Sequence, residues 1–344
     1  MNSFRKIFFP FSLLYDFVTG FRNFFYDKGI LKSFSFELPI IVVGNLSVGG
    51  TGKTPQIEYL IRLLSDKYNV ATLSRGYKRQ SKGFILAGAG SNAVTLGDEP
   101  FQYYQKFPNI QVAVDNDRKN GIVQLLLQTN KPQVVLLDDA FQHRKVKAGF
   151  YILLTSYKDL YVDDYILPTG NLRESERGVQ RANVIIVTKC PKDITSQEQT
   201  EIKFRLNLNQ NQQLYFTYVD YNDSIYSQNS TLKVETIKNT EKLLLAGIAN
   251  PQPFFDYLQN DTDIIMKFAD HHHFSENDIL KIKNKANNKI IITTEKDYVR
   301  LKGSIENNQL FYLPIESRFV SDKENFNKTI LNYVGKSSGI SKLY

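Results

Sequence analysis

The 344-residue chain has no tryptophan and a single cysteine, Cys190. One cysteine rules out an intramolecular disulfide and makes a reducing compartment the natural reading. Long apolar runs are also missing. The longest uncharged stretch near the N-terminus, Ile7 to Tyr15, is nine residues and contains Pro10. A membrane-spanning helix needs about 20, so spanning is not expected. Arg5 and Lys6 could begin a signal peptide, but no small-residue cleavage site follows them. Disordered, collagenous and coiled-coil classes are excluded by ordinary globular usage, 42% apolar and 23% charged.

What is present is basic and aromatic. Lys and Arg outnumber Asp and Glu by 43 to 35, leaving +8, which favours an anionic partner. Nucleic acid is not expected, because the cations are not interleaved with aromatics in any recognised module. The 24 Phe and 20 Tyr are unevenly spread, with Phe8, Phe9, Phe11, Phe17, Phe21, Phe24, Phe25 and Tyr26 crowded into the opening segment. Leu14, Phe17, Val18, Phe21, Phe24 and Phe25 share one face of a predicted amphipathic helix. Residues 1–36 carry net +3. Such a face suits an anionic bilayer surface or the protein's own core, and both destinations are open at this level.

The run Ile40-Ile41-Val42-Val43 enters Gly44-Asn45-Leu46-Ser47-Val48-Gly49-Gly50-Thr51-Gly52-Lys53-Thr54, and helical spacing follows at Ile57, Leu60, Ile61 and Leu64. Strand, glycine-rich loop and helix are the context of a Walker A phosphate loop. Gly49, Gly50, Thr51 and Gly52 let backbone N–H groups converge on phosphates, Lys53 adds a point charge, and Thr54 is a candidate Mg²⁺ ligand. Ser47 stands where the pattern has its first glycine. A second apolar run, Val134 to Leu137, ends in Asp138-Asp139, the form of a buried strand delivering a Walker B carboxylate to Mg²⁺. Further strands at 70–73, 151–154 and 184–187 complete an alternating βα pattern, predicting a P-loop NTPase-like, mostly parallel sheet with helices on both faces.

Three classes of phosphate-loop protein are weighed. GTPases read guanine with Asn/Thr-Lys-x-Asp, but here Thr188-Lys189 is followed by Pro191 at the aspartate position. Partitioning-type ATPases place a lysine before the paired glycines, where this chain has Val48. A small-molecule kinase needs acids, bases and cations beside the loop to position an acceptor hydroxyl. Ser74-Arg75-Gly76-Tyr77, Gly97-Asp98-Glu99-Pro100, Asp117-Arg118, Phe141-Gln142-His143-Arg144, Gly170-Asn171-Leu172-Arg173-Glu174 and Asp270-His271-His272-His273 supply them. Arg173 and Arg118 are the leading cations for the transferring phosphoryl or a substrate phosphate.

Taken together, VGNLSVGGTGKTP, SRGY, GDEP, LLDDAFQHR, LPTGNLRE, AGIANPQPFF, FADHHHF and TTEKDYVRL run in order from about residue 40 to about 301. The combination resembles the tetraacyldisaccharide 4'-kinases, the lipid A 4'-kinases of Gram-negative bacteria. The resemblance implies transfer of the ATP γ-phosphate to the 4'-hydroxyl of a tetraacylated glucosamine disaccharide 1-phosphate, peripherally at the cytoplasmic face of the bacterial inner membrane. It implies ATP and Mg²⁺ as cofactors, the lipid A disaccharide precursor as partner, and no obligate protein partner. It also implies two α/β domains joined by a β-ribbon. The expected layout is a membrane-facing segment at 1–36, a P-loop kinase domain at 37–212, the ribbon at 213–235 and a smaller α/β domain at 236–344.

By the same resemblance Asp98 is the general base and a histidine of the DHHH run its partner, with His271 first and His272 or His273 as alternatives. Lys53 and Arg173 complete the catalytic set. Arg75, Tyr77, Glu99, Arg118, Gln142, His143, Asn171 and Glu174 are expected around the acceptor. Thr293 to Asp297 carries the resemblance without an evident chemical role. The alternative function is a membrane-associated regulatory P-loop ATPase or GTPase, separable from a kinase by whether turnover needs the lipid acceptor.

Overall fold

The computed structural model describes residues 3–337. The five expected core strands join four others in one nine-stranded sheet in the order Ile315–Phe319, Gln213–Tyr221, Val184–Thr188, Phe150–Ser156, Ile40–Asn45, Val134–Asp138, Val70–Ser74, Gln111–Val114 and Ile85–Leu86. Neighbours are parallel except at the two edges, where Ile315–Phe319 and Ile85–Leu86 run antiparallel. The central strands are buried along their whole length, as β-branched runs covered by helices on both faces must be. Two apolar clusters fill the two faces. The phosphate-loop strand and the acidic strand are adjacent, with Val43 opposite Asp138. Both therefore deliver their loops to the carboxyl edge of the sheet, where open α/β folds bind ligands.

Gly44 makes that adjacency possible. A Cβ there would lie 2.6 Å from the Cβ of Phe141 and 3.0 Å from its backbone nitrogen, so only glycine lets the chain after Asp139 pass so close.

A second, six-stranded sheet has the order Thr231–Lys233, Ser224–Tyr226, Leu310–Leu313, Ile291–Thr294, Leu243–Ala246 and Ile264–Lys267, with its own apolar clusters on either side. The limits of this unit differ from those expected. Gln213–Tyr221, assigned to the ribbon, is a full strand of the first sheet, whereas Ser224–Tyr226 pairs with Thr231–Lys233 in the second. The chain crosses at Asn222, whose N–H bonds the carbonyl of Pro314 where it returns. Ile315–Phe319 then pairs with Gln213–Tyr221, and helix Lys323–Ser337 buries Phe326, Ile330 and Val334 in the core beneath Ile41, Val43 and Ile57. Residues 315–337 thus belong with the first sheet rather than with the unit expected at 236–344. The antiparallel pair 213–221 and 315–319 is the double crossing between the units.

The opening segment is helical, a 3₁₀ turn at Ser3–Phe8 followed by an α-helix at Phe9–Asp27. Its orientation answers the question left by the sequence. The helix turns its polar side inward. Ser12 is 5% exposed and bonds the Ile166 carbonyl and Thr169, Tyr15 bonds the Arg173 carbonyl, and Asn23 bonds Glu174. Phe11, Leu14, Phe17, Val18 and Phe21 are each more than half exposed on the outer side. The protein's own core does not cover this face. No helix among the described residues is long and apolar enough to cross a membrane.

Candidate active site

Gly49 and Gly52 adopt φ of +110° and +84°, left-handed values that favour glycine, and the helix begins at Lys53 with no side chain capping its first turn. The free N–H groups there suit a phosphate. Ser47 needs no such freedom. It has no left-handed φ, and it forms a β-bridge with Leu172, while Val48 N–H bonds Asn171 O and Arg173 N–H bonds Leu46 O. The loop's first half is held as a short ribbon, which explains why the missing glycine is tolerated. Thr188 donates to the Thr51 carbonyl at 2.8 Å, and Lys189 donates to that of Gly50, so the loop's second half rests on the strand end that the GTPase comparison had singled out.

Lys53 Nζ lies 3.3 Å from Asn45 Oδ1 and 3.6 Å from Asp139. Asp139 takes a left-handed φ of +47° and receives Arg173 Nη1 on both oxygens, at 2.9 and 3.0 Å. Burial pushes the Asp139 carboxyl up, but Lys53 and then Arg173 outweigh it and hold it below the usual range. Asp138 is the opposite case. It is buried beside Asp139, receives only Tyr103 Oη at 3.3 Å, and is pushed up to about 7 by desolvation and by its neighbour's charge. Its Oδ1 is buried with no hydrogen-bond partner. A lone buried carboxylate oxygen at the end of the strand beside the phosphate-loop strand is a hard-oxygen site short of a cation, which fits Mg²⁺. Among the described residues no three His, Cys, Asp or Glu side chains form a metal site on their own, so nucleotide phosphates would have to complete the shell.

Fully buried Tyr103 also bonds Thr54, which seats helix Asp98–Lys106 on the phosphate site. Asp98 and Glu99 occupy that helix's first turn, where its dipole favours carboxylates. Across from them stands the second unit. His271, with φ +58°, places Nδ1 3.4 Å from Asp98 Oδ2, so the residues predicted as a pair do meet. The register is decided by partners. His272 Nε2 is engaged by Asp278 at 3.0 Å and His273 is exposed. Tyr77 sets its ring edge-on to His271 at 5.6 Å. Arg75 is exposed and has no hydrogen bond or ion pair among the described residues, leaving a free cation at the mouth.

The remaining predicted contacts divide. Glu99 faces Lys296 at 3.5 Å. Arg118 is 3% exposed, bonded to the carbonyls of Asp115 and Asn116, and lowered to about 10 by burial. His143 is lowered to about 4 by burial and then by Arg118, so it is neutral at pH 7, with Nε2 buried and unpartnered. Glu174, Gln142 and Asn171 are corrections. Glu174 is 1% exposed and its carboxylate is taken by Asn23, Gln142 and Arg181. Gln142 is spent on Asn45 O and Glu174, and Asn171 Oδ1 on Arg5. These three brace the loop and the N-terminal helix instead of offering themselves to a ligand.

Sequence reasoning missed the interface helix Glu295–Leu301. Its Lys296 reaches His271 Nε2 at 2.8 Å, and its Arg300 donates to Asp98. Burial pushes the Asp98 carboxyl up, but Arg300 and then Lys296 outweigh it and hold it below the usual range. Glu295, Lys106 and Glu58 form a buried triad, Lys106 Nζ lying 2.6 Å from Glu295 and 2.7 Å from Glu58. Val299 joins Leu96, Phe101 and Val114 in an apolar cluster across the units. The signal was available as spacing, because Lys296 and Arg300 are four apart and share a helix face.

A P-loop fold with a paired carboxylate strand, a cationic mouth and an Asp–His pair facing the loop defines an ATP-dependent phosphotransferase. Residues 4–335 match the family tetraacyldisaccharide-1-P 4'-kinase (LpxK). The chain is 64% identical to the tetraacyldisaccharide 4'-kinase of Flavobacterium johnsoniae over 97% of its length and 98% of the relative's. It is 47% identical to that of Bacteroides thetaiotaomicron over 97% and 94%. The LpxK of Aquifex aeolicus, crystallised in complex with ATP, superposes with a TM-score of 0.79 at 31% identity, covering 96% of this chain and 99% of that one. The chain belongs to the tetraacyldisaccharide-1-P 4'-kinase family and is an ATP-dependent kinase of lipid A biosynthesis.

Proposed function

We propose that the chain moves the γ-phosphoryl group of ATP to the 4'-hydroxyl of a tetraacylated glucosamine disaccharide 1-phosphate, with Asp98 accepting the hydroxyl proton and ADP leaving. The observation that carries this reading is the meeting of His271, from the second unit, with Asp98 on a helix that Tyr103 seats against Thr54 and Asp138. Phosphoryl transfer has a loose transition state, so the base chiefly orients the hydroxyl and takes its proton late. A carboxylate held ionised suits that task.

Lys53 and Arg173, both gathered on Asp139, are poised for the charge on the transferring group. Thr54, Asp138 and Asp139 would hold Mg²⁺, which when bound neutralises phosphate charge and orients the oxygens. Arg75 and Tyr77 are the accessible contacts for the sugar or its 1-phosphate, with Glu99 beside them, while Arg118 and His143 act from behind as buried polar support. The exposed aromatic face of Phe9–Asp27 would rest on the anionic cytoplasmic surface of the inner membrane, bringing the mouth to a lipid substrate. The test is transfer of radiolabel from γ-labelled ATP to the lipid A disaccharide precursor in detergent micelles, with Asp98→Asn as control. Label released as inorganic phosphate at the same rate with and without acceptor would overturn the reading.

A further inference from the structure

Helix Glu295–Leu301 is fixed on every side. Thr294 caps it by accepting from the Asp297 N–H. Asp297, wholly buried, accepts from the Gly247 N–H and the Thr294 hydroxyl, each at 2.8 Å, and faces Arg300 Nη1 at 3.4 Å. Glu295 is held by Lys106, and Val299 sits in the cross-unit apolar cluster. A helix held in this way aims Lys296 and Arg300 as fixed groups.

Their chemistry dictates a proton position. An ammonium can only donate, so Lys296 Nζ at 2.8 Å, the shorter of the two donor contacts to the ring, favours acceptance by Nε2 of His271 with the ring proton on Nδ1. Nδ1 faces Asp98 Oδ2 at 3.4 Å and Arg300 Nη2 at 3.1 Å. Arg300 Nη2 is donor-only too and could compete for a bare Nδ1, but it already donates to Asp98 Oδ2, so the Nδ1–H and the guanidinium N–H converge on that one oxygen. Among the described residues no hydrogen bond reaches Asp98 Oδ1. Lys296 is itself held in place by Glu99 at 3.5 Å and Asp270 at 3.7 Å.

We propose that Lys296 and Arg300 are positioning residues for phosphoryl transfer: Lys296 locks His271 as the Nδ1–H tautomer, and Arg300 with His271 occupies Asp98 Oδ2, leaving Oδ1 for the acceptor hydroxyl. This rests on Asp98 being the base. The opposite tautomer would set the bare lone pair of Nδ1 against the carboxylate and free Asp98 to turn. Both positioning groups come from the second unit, so the first unit alone holds a base without its orientation.

The tautomer is read directly from long-range ¹⁵N–¹H correlation spectra of the labelled full-length protein at neutral pH, which has four histidines, with His271 assigned from a His271→Gln spectrum. The wild type and Lys296→Arg are expected to show protonated Nδ1 and bare Nε2, and Lys296→Met to lose that pattern. In the micelle assay Lys296→Met is expected to lower kcat about 10- to 100-fold with both KM values within about twofold, and Lys296→Arg to recover most of the loss. A wild-type His271 carrying its proton on Nε2 overturns the proposal without any variant, as does a Lys296→Met protein with unchanged tautomer and kcat. Wild-type turnover by Asp98→Asn together with the Nδ1–H pattern would instead remove the base reading and leave the proton position standing.

Discussion

Replacing Lys106 by methionine tests whether the two units are closed on each other in solution. Lys106 is the cation shared by Glu58, 1% exposed on the phosphate-loop helix, and Glu295, 8% exposed on the interface helix. Methionine keeps the stem and leaves two buried carboxylates without a counter-charge. Removing one partner of a buried ion cluster costs about 3–5 kcal/mol. A second estimate starts from Glu295, already pushed up to about 7 by burial and then by Glu58, with Lys106 opposing. Without Lys106 its pKa rises further and it takes a proton. Because Glu295 near 7 is already about half protonated at neutral pH, wild type bears most of the cost of that proton, so the loss through Glu295 is under about 1 kcal/mol and the rest falls on Glu58, left buried beside it without its lysine.

The sign with pH follows. A carboxyl whose folded pKa is raised binds its proton more tightly in the native state, so wild-type stability falls as pH climbs from 4.5 through about 7. For the same reason the Lys106→Met penalty should shrink to under about 1 kcal/mol at pH 5, and Lys106→Met/Glu295→Gln should recover much of it at pH 7. Urea unfolding followed by tyrosine fluorescence, unobscured by any tryptophan, measures each value. A loss below about 1 kcal/mol at pH 7 would refute the buried cross-unit triad.

Lys53→Ala should lower kcat for label transfer at least about 100-fold, by removing a cation that acts on developing phosphoryl charge, while the melting temperature stays within a few degrees. Near-normal transfer would count against the phosphate loop. Phe17→Ser/Phe21→Ser should leave stability within about 0.5 kcal/mol, since both rings are already more than half exposed. The same pair should weaken co-sedimentation with anionic vesicles about 100-fold or more, at about 1.5–3 kcal/mol per buried ring; unchanged binding would rule out this face as the membrane contact. Gly44→Ala should destabilise by about 1–3 kcal/mol in urea, because its methyl meets Phe141 backbone and Cβ rather than a flexible tip. A neutral result would mean that the two loops do not pass so closely.

Local chemistry was legible where a short stretch carries the whole device. The phosphate loop, the acidic strand and the parallel core strands need only β-branched runs, glycines and a fixed spacing. Glu174, Gln142 and Asn171 were misjudged because placement beside a motif does not say whether a polar atom is already spent. Arg5 and Asn23, more than a hundred residues earlier in the chain, are what occupy Asn171 and Glu174. The N-terminal helix resolved a question that the sequence had left open. Its periodicity showed an apolar face but not its direction, and the seating of Ser12, Tyr15 and Asn23 on the body turned that face outward.

By itself the sequence determined that this is a phosphate-binding α/β protein, because glycine conformations, strand propensity and a Lys-Thr at a helix start are properties of neighbours along the chain, and the ordered run of motifs carried the resemblance to the kinase family. Tertiary structure alone decided which of three histidines meets Asp98, which face the aromatic helix shows, and that residues 315–337 return to the first sheet. It also showed what the TTEKDYVRL stretch touches. Arg300 meets Asp98 across 202 residues of chain, and His271, which Lys296 contacts, meets Asp98 across 173. Such contacts form only when two separately cored units close, and no local pattern encodes that closure.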